Sequence, residues 1–135
     1  MTTTTERRPS PANMPSKPAF DPLRPVRVDE LGDAPFRVVF ERALLRSTMH
    51  PHTRLVGLAL ATHCDPTGLI PEADQPRLHG LTAETGLQLP QVVVALNTLM
   101  SRGLIIRRMA VKWERAHVQL VIPHAVLARL SKPQE

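Results

Sequence analysis

The residues whose types could support chemistry are six histidines and a single cysteine. The closest groupings are His50-x-His52 and His63-Cys64, and neither has the ligand spacing of a structural zinc site. The pattern favours a core histidine and a buried thiol over metal ligands. The six glycines are scattered and form no phosphate-binding loop, and no nucleophile motif or paired carboxylates stand out. We therefore predict a protein that is not an enzyme and needs no metal or cofactor.

A dense basic cluster lies between residues 102 and 115, with Glu114 as its only acid. Its members are Arg102, Arg107, Arg108, Lys112 and Arg115. Such a cluster favours contact with phosphate groups, and a merely solvated hairpin is the alternative interpretation. Trp113, the only tryptophan, stands inside the cluster. It could pack over the arginine stems, insert between bases or anchor a protein partner.

The net charge of +5 is unevenly distributed along the 135 residues. Residues 1–34 hold five basic and five acidic residues, so the whole excess lies in residues 35–135. No apolar run approaches the roughly 18 residues of a membrane helix, and the N-terminus lacks the apolar core of a secretory signal. A single cysteine cannot form an internal disulfide. These features predict a cytoplasmic, nucleoid-associated protein with no membrane contact.

The helical and strand patterns predict one mainly α domain with a small β-hairpin over residues 35–131. Residues 1–34 carry six prolines and are predicted to form a disordered tail, or an arm that tracks DNA through Arg7 and Arg8. Helices are predicted from Pro35, over 51–63, 76–85 and 89–102, and from Pro123. Residues 65–68, with the sequence DPTG, suit a type I turn before a very short strand. Two β-like runs over 104–112 and 117–122 form the hairpin.

This order of elements resembles the winged helix-turn-helix domains of bacterial regulators and of phage or plasmid replication proteins. The segments "LVGLALATHCDPTGLIP" and "LTAETGLQLPQVVVALNTLMSRGLI" carry the resemblance, which covers about residues 36–122. It implies double-stranded DNA as the partner, and a role as a transcriptional regulator or an accessory replication protein. It also implies that the helix over 89–102 is the reading helix and that the hairpin is the wing.

A helical wheel places Val92, Ala95, Leu96 and Leu99 on the buried side of the reading helix. The expected DNA-binding residues on or beside its outward face are Gln88, Gln91, Val94 and Asn97. Glutamine and asparagine can pair with adenine, and valine can touch a thymine methyl group. The helix has no basic residue before Arg102, so the wing is expected to supply the phosphate contacts.

The apolar character of the same outward face supports an alternative function. A protein-interaction module on this fold would dock a partner through Val93, Val94 and Trp113. The last helix, with Val126, Leu127 and Leu130, is expected to pack on the first helix or to pair two subunits. The second arrangement predicts a homodimer that reads two half-sites.

Overall fold

The fold is mainly helical with one small β-hairpin, as the sequence predicts. The computed structural model describes residues 21–131. Over this range the chain forms five α-helices, two short 3-10 turns at Val28–Leu31 and Glu72–Asp74, and two strands. The α-helices are α1 (Phe36–Leu45), α2 (Pro51–Ala61), α3 (Arg77–Thr85), α4 (Leu89–Ser101) and α5 (His124–Leu130). The strands are β1 (Ile105–Arg108) and β2 (His117–Leu120), both shorter than the predicted runs.

The helix ends follow the local sequence signals. Pro51 occupies the first turn of α2, and the amide of His52 donates to Nδ1 of His50 at 3.0 Å. Helix α3 ends at Gly86, whose φ of 75° lies in the left-handed region that favours glycine. Gly103, with φ of 77°, turns the chain from α4 into β1. The two glycines therefore mark the C-terminal ends of α3 and α4.

The core lies between α4 and the helices around it. Val92, Ala95, Leu96 and Leu99 form the buried stripe of α4, which confirms the predicted helical phase. The stripe packs chiefly on α2. In α2 the buried residues are Thr53, Val56, Gly57, Leu60 and Ala61.

Leu55 lies on the face of α2 opposite to the core and is 39% exposed, although it is as apolar as its buried neighbours. Helix α2 is apolar almost all round, so its sequence does not reveal which side faces the core. The buried side is the one with Gly57, where a Cβ atom would lie 2.7 Å from a methyl carbon of Leu44. A close approach to α1 therefore selects the face of α2.

The short segment before α3 joins the hairpin as the predicted very short strand. Gly68 donates to the carbonyl of Asp65 at 3.0 Å, which closes the expected turn. Leu69 then forms a single bridge to Gln119, and Leu120 donates to the carbonyl of Gly68 at 3.0 Å. A hydrogen bond from the Thr67 hydroxyl is the main reason why the pKa of the Asp65 carboxyl is lowered. The turn thus attaches the helix-turn-helix to β2.

Residues 21–34, which fall in the predicted disordered tail, contact the domain at several points. The amide of Val26 donates to the carbonyl of Ile122 at 2.7 Å, and Val26 is buried. His124 and Ala125, at the start of α5, donate to the carbonyls of Arg24 and Pro22. The first amides of a helix lack partners within the helix, so this arm caps α5 with its own backbone. The many prolines and the lack of a helical or alternating apolar pattern favoured disorder. A segment that contacts the domain in an extended conformation needs neither pattern, so its sequence did not reveal the contact.

Residues 1–20 and 132–135 lie outside the described residues, and so does the expected arm contact of Arg7 and Arg8. Helix α5 packs on α1, and Arg46 donates to the carbonyl of Leu130 at 3.4 Å. Val126, Leu127 and Leu130 are partly buried against the core. This is the first of the two expected arrangements, so the stripe no longer argues for a homodimer. Between residues 21 and 131 no helix is long and apolar enough to cross a membrane.

The arm should contribute measurably to stability. Removing residues 1–31 takes away the donor to Ile122 and the acceptors for the first amides of α5, whereas removing residues 1–20 leaves these contacts in place. We expect the longer deletion to melt several degrees lower, at roughly 4–8 °C for each kcal/mol lost in a domain of this size. Differential scanning calorimetry of the two chains checks this. Equal melting temperatures would show that the arm adds no net stability.

Candidate nucleic-acid interface

The wing is an antiparallel hairpin whose loop has a buried side and an exposed side. Ile105 pairs with Leu120 and Arg108 with His117, and residues 109–116 connect the strands. Within the loop Trp113 is only 7% exposed and Ala116 is buried. Met109 and Val111 are each 80% exposed. The loop is therefore anchored to the domain by two residues, and it presents two others to solvent.

Trp113 connects the wing to α4. Its indole Nε1 donates to the Asn97 Oδ1 of α4 at 2.9 Å. The guanidinium carbon of Arg107 lies 4.6 Å from the centre of its ring, in cation–π geometry. Of the three predicted roles of Trp113, packing under an arginine is therefore confirmed. The ring is 7% exposed, so little of its surface remains for a partner.

The remaining basic residues of the predicted cluster differ in how far they are engaged. Arg108 Nε donates to Gln119 Oε1 at 2.9 Å across the hairpin. Lys112 and Arg115 are exposed at the turn of the loop, and Arg102 is exposed just after α4. The ion pairs among residues 21–131 involve Arg27, His63 and His124. No wing cation is neutralised by a carboxylate within the described residues.

The predicted base-reading residues are less available than the helical wheel suggests. The amide of Gln88 donates to Gln91 Oε1 at 2.9 Å, so the Gln91 carbonyl group caps the start of α4. Asn97 is exposed, but its oxygen accepts from Trp113. Val94 is 63% exposed, as expected, whereas Val93 is partly buried against the core. The outward face of α4 thus offers chiefly apolar surface and the exposed Gln88.

A groove beside α4 was not anticipated. A cavity of about 470 Å³ lies between α4 and the segment that leads into α2. Met49 and Thr53 line one wall and Val94 and Thr98 the other, with Arg102 also contributing. Apolar surface dominates its lining. The sequence held no signal for this groove, because its two walls come from segments that are far apart in the chain.

The histidine and cysteine groupings have structural partners. His63 Nε2 lies 2.6 Å from Glu84 Oε2, which joins the end of α2 to α3. The Cys64 thiol donates to the carbonyl of Ala61 at 3.3 Å, and burial raises its pKa. Within residues 21–131 no three His, Cys, Asp or Glu side chains gather as a metal site would require.

Comparison with known proteins returned no matching family model, no matching curated protein and no matching solved structure.

The Trp113–Asn97 hydrogen bond should be measurable as a coupling energy. An indole N–H can only donate, so replacing Asn97 with alanine removes its acceptor in a partly buried place. We expect Asn97→Ala to lower the free energy of unfolding by about 1–3 kcal/mol. In Trp113→Phe, which has no donor, the same change should cost much less. Urea unfolding of the two single variants and the double variant completes the cycle, and strictly additive effects would show that the bond contributes nothing.

Proposed function

We propose that this protein is a winged-helix DNA-binding protein, acting as a transcriptional regulator or an accessory replication protein at the nucleoid. The observation that carries the proposal is the unneutralised positive charge of the wing. Arg108, Lys112 and Arg115 are exposed on one hairpin, and no described carboxylate pairs with them. Such cations would bind phosphates of double-stranded DNA and release its condensed counterions.

The wing stands next to the helix that would enter the major groove. Trp113 joins its loop to Asn97 in the middle of α4, so both elements would meet the duplex as one body. Arg102 follows α4 directly and adds a further exposed cation. In a winged helix, a basic hairpin beside the reading helix serves to hold the DNA backbone. The supporting geometry is therefore the fixed position of the wing relative to α4.

Sequence discrimination by α4 should be modest. Gln91 and Asn97 each use a side-chain oxygen within the protein, while Val94 and the exposed Gln88 remain for bases. An apolar contact to a thymine methyl group and hydrogen bonds from one glutamine discriminate between bases less strongly than an arginine that makes two hydrogen bonds to one base. Most of the affinity would then come from phosphates and would not depend on base sequence.

The proposal is best tested at the two wing cations that have no structural role. Arg107 packs on Trp113 and Arg108 bonds to Gln119, so replacing them would also disturb the hairpin. Lys112→Ala with Arg115→Ala should weaken binding to every duplex alike. The slope of log affinity against log salt should fall by roughly two units, because two phosphate contacts are lost. Fluorescence anisotropy on random-sequence duplexes measures both quantities.

The matched control is Arg42→Ala with Arg129→Ala, which removes the same charge from exposed positions on α1 and α5. This variant should keep the wild-type salt slope. If the salt slope falls by the same amount in both double variants, the loss of net charge alone explains the fall, and the wing is not the binding surface.

The groove and Val94 support a second candidate function, a protein-interaction module. Val94 is 63% exposed beside an apolar cavity of about 470 Å³, and this surface carries little charge apart from Arg102. Exposed apolar surface of this kind is typical of protein-docking sites. Since Trp113 and Val93 are not freely exposed, a partner would contact the α4 side of the groove instead.

Salt dependence distinguishes the two functions. If the four basic residues of the wing all contact phosphates, DNA affinity should fall roughly 100-fold between 50 and 200 mM salt. Docking through Val94 should change little over this range, and Val94→Asp should abolish it. Isothermal titration at the two salt concentrations is the measurement. Absence of DNA binding even at the lower concentration would leave the interaction module as the better assignment.

A further inference from the structure

The outer edge of the wing loop is apolar although cations surround it. Met109 and Val111 are the most exposed large hydrophobic residues between residues 21 and 131, at 80% each. They stand two positions apart, with the half-buried Ala110 between them. Single exposed apolar residues are ordinary on protein surfaces. Here two of them lie close together in a loop that is anchored to the domain by the buried Trp113 and Ala116.

The edge is held in place by the rest of the loop. Arg115 donates to the carbonyl of Lys112 at 3.1 Å, which closes a turn around the anchored Trp113. On the other side, Arg108 is bonded to Gln119 of β2. Met109 has a φ of 78°, a left-handed conformation that non-glycine residues rarely adopt. The backbone at Met109 is therefore held in an unfavourable conformation by the surrounding loop.

The charges around this edge indicate the kind of surface that it meets. Arg108 precedes Met109, and Lys112 follows Val111 directly. Neither cation has a carboxylate partner among the described residues. An apolar edge between cations is complementary to a surface with an apolar interior and anionic borders. A base step opened on its minor-groove side is such a surface, because the faces of the unstacked bases are apolar and phosphates border the groove.

We propose that Met109 and Val111 enter the DNA minor groove as a wedge that partly unstacks one base step and bends the duplex. This inference rests on the proposed function, and it identifies how the wing would engage its ligand. Methionine and other apolar side chains can unstack a base step when flanking contacts hold the protein in the groove. Arg108 and Lys112 would supply those contacts on the two phosphate rows.

A wedge also gives sequence preference to a protein whose reading helix is poor in polar groups. Pyrimidine–purine steps such as TA are the most easily unstacked, so the wing selects them by the cost of deformation. Specificity would therefore come from the flexibility of one step and not from hydrogen bonds to bases.

The test uses a short duplex with a single central TA step in which 2-aminopurine replaces the adenine. Its fluorescence is quenched by stacking and rises when the step opens. The full-length chain should raise this fluorescence on binding at low salt. Met109→Ala with Val111→Ala should bind this duplex roughly tenfold more weakly, because two apolar contacts are lost, and should give no rise at saturation. Its salt slope should equal that of the wild type, since no charge is removed.

Lys112→Ala with Arg115→Ala is the matched control. It should lower the affinity and the salt slope, yet each complex formed at saturation should still show the fluorescence rise. All four positions are exposed, so both double variants should keep the wild-type melting temperature. Alanine at position 109 is as unfavourable as methionine in a left-handed backbone conformation, so the substitution does not relax the loop. Glycine would relax it.

Four outcomes would overturn the wedge. Salt-dependent binding without a fluorescence rise, or an equal rise with the Met109 and Val111 variant, would reject it while the proposed function stands. No binding to any duplex would reject both. Binding to vesicles of phosphatidylserine and phosphatidylcholine that is lost in the Met109 and Val111 variant, without any rise on DNA, would assign the edge to an anionic membrane surface.

Discussion

The arrangement of the candidate interface depends on one buried indole. Trp113 lies in the hairpin loop, yet it is almost completely covered, and a covered N–H group needs an acceptor. Asn97 of α4 supplies that acceptor at 2.9 Å, while Arg107 covers the ring. A side chain of this size buries roughly 150–250 Å² in general, so the loop cannot swing away from α4 without a large loss. The wing and the reading helix are consequently held in one relative orientation.

This attachment reduces the polar groups available for reading bases. Asn97 and Gln91 lie where a DNA-reading helix would present them, but one holds the wing and the other caps α4. Arg107 is likewise committed to the indole ring. Lys112 and Arg115, in contrast, are exposed at the turn of the loop. The side chains of Asn97, Gln91 and Arg107 are therefore engaged in contacts within the domain.

The rest of the domain supports the hairpin from behind. Gln75 donates to the carbonyls of Ile70 and Val118 and accepts from the amide of Val118, which joins the segment before α3 to β2. On the other side of the domain, Val26 pairs with the chain just after β2. The carboxylate of Glu30 accepts from the amide of Arg27, the main cause of its lowered pKa, and lies 3.6 Å from His124 Nε2. Contacts on both sides of the hairpin thus limit its movement.

The sequence by itself determined the helical phase of α4, the glycine-terminated helices and the basic hairpin. Each of these depends on residues that are close in the chain, where periodicity and backbone preference act directly. Only the tertiary structure decided which face of α2 is buried, that residues 21–34 pack on the domain, and that Trp113 points inward. In these cases the deciding contact joins distant residues, such as Gly57 with Leu44, Val26 with Ile122 and Trp113 with Asn97. Local patterns carry no information about such pairs, because burial and hydrogen bonding between them arise only when the elements have packed.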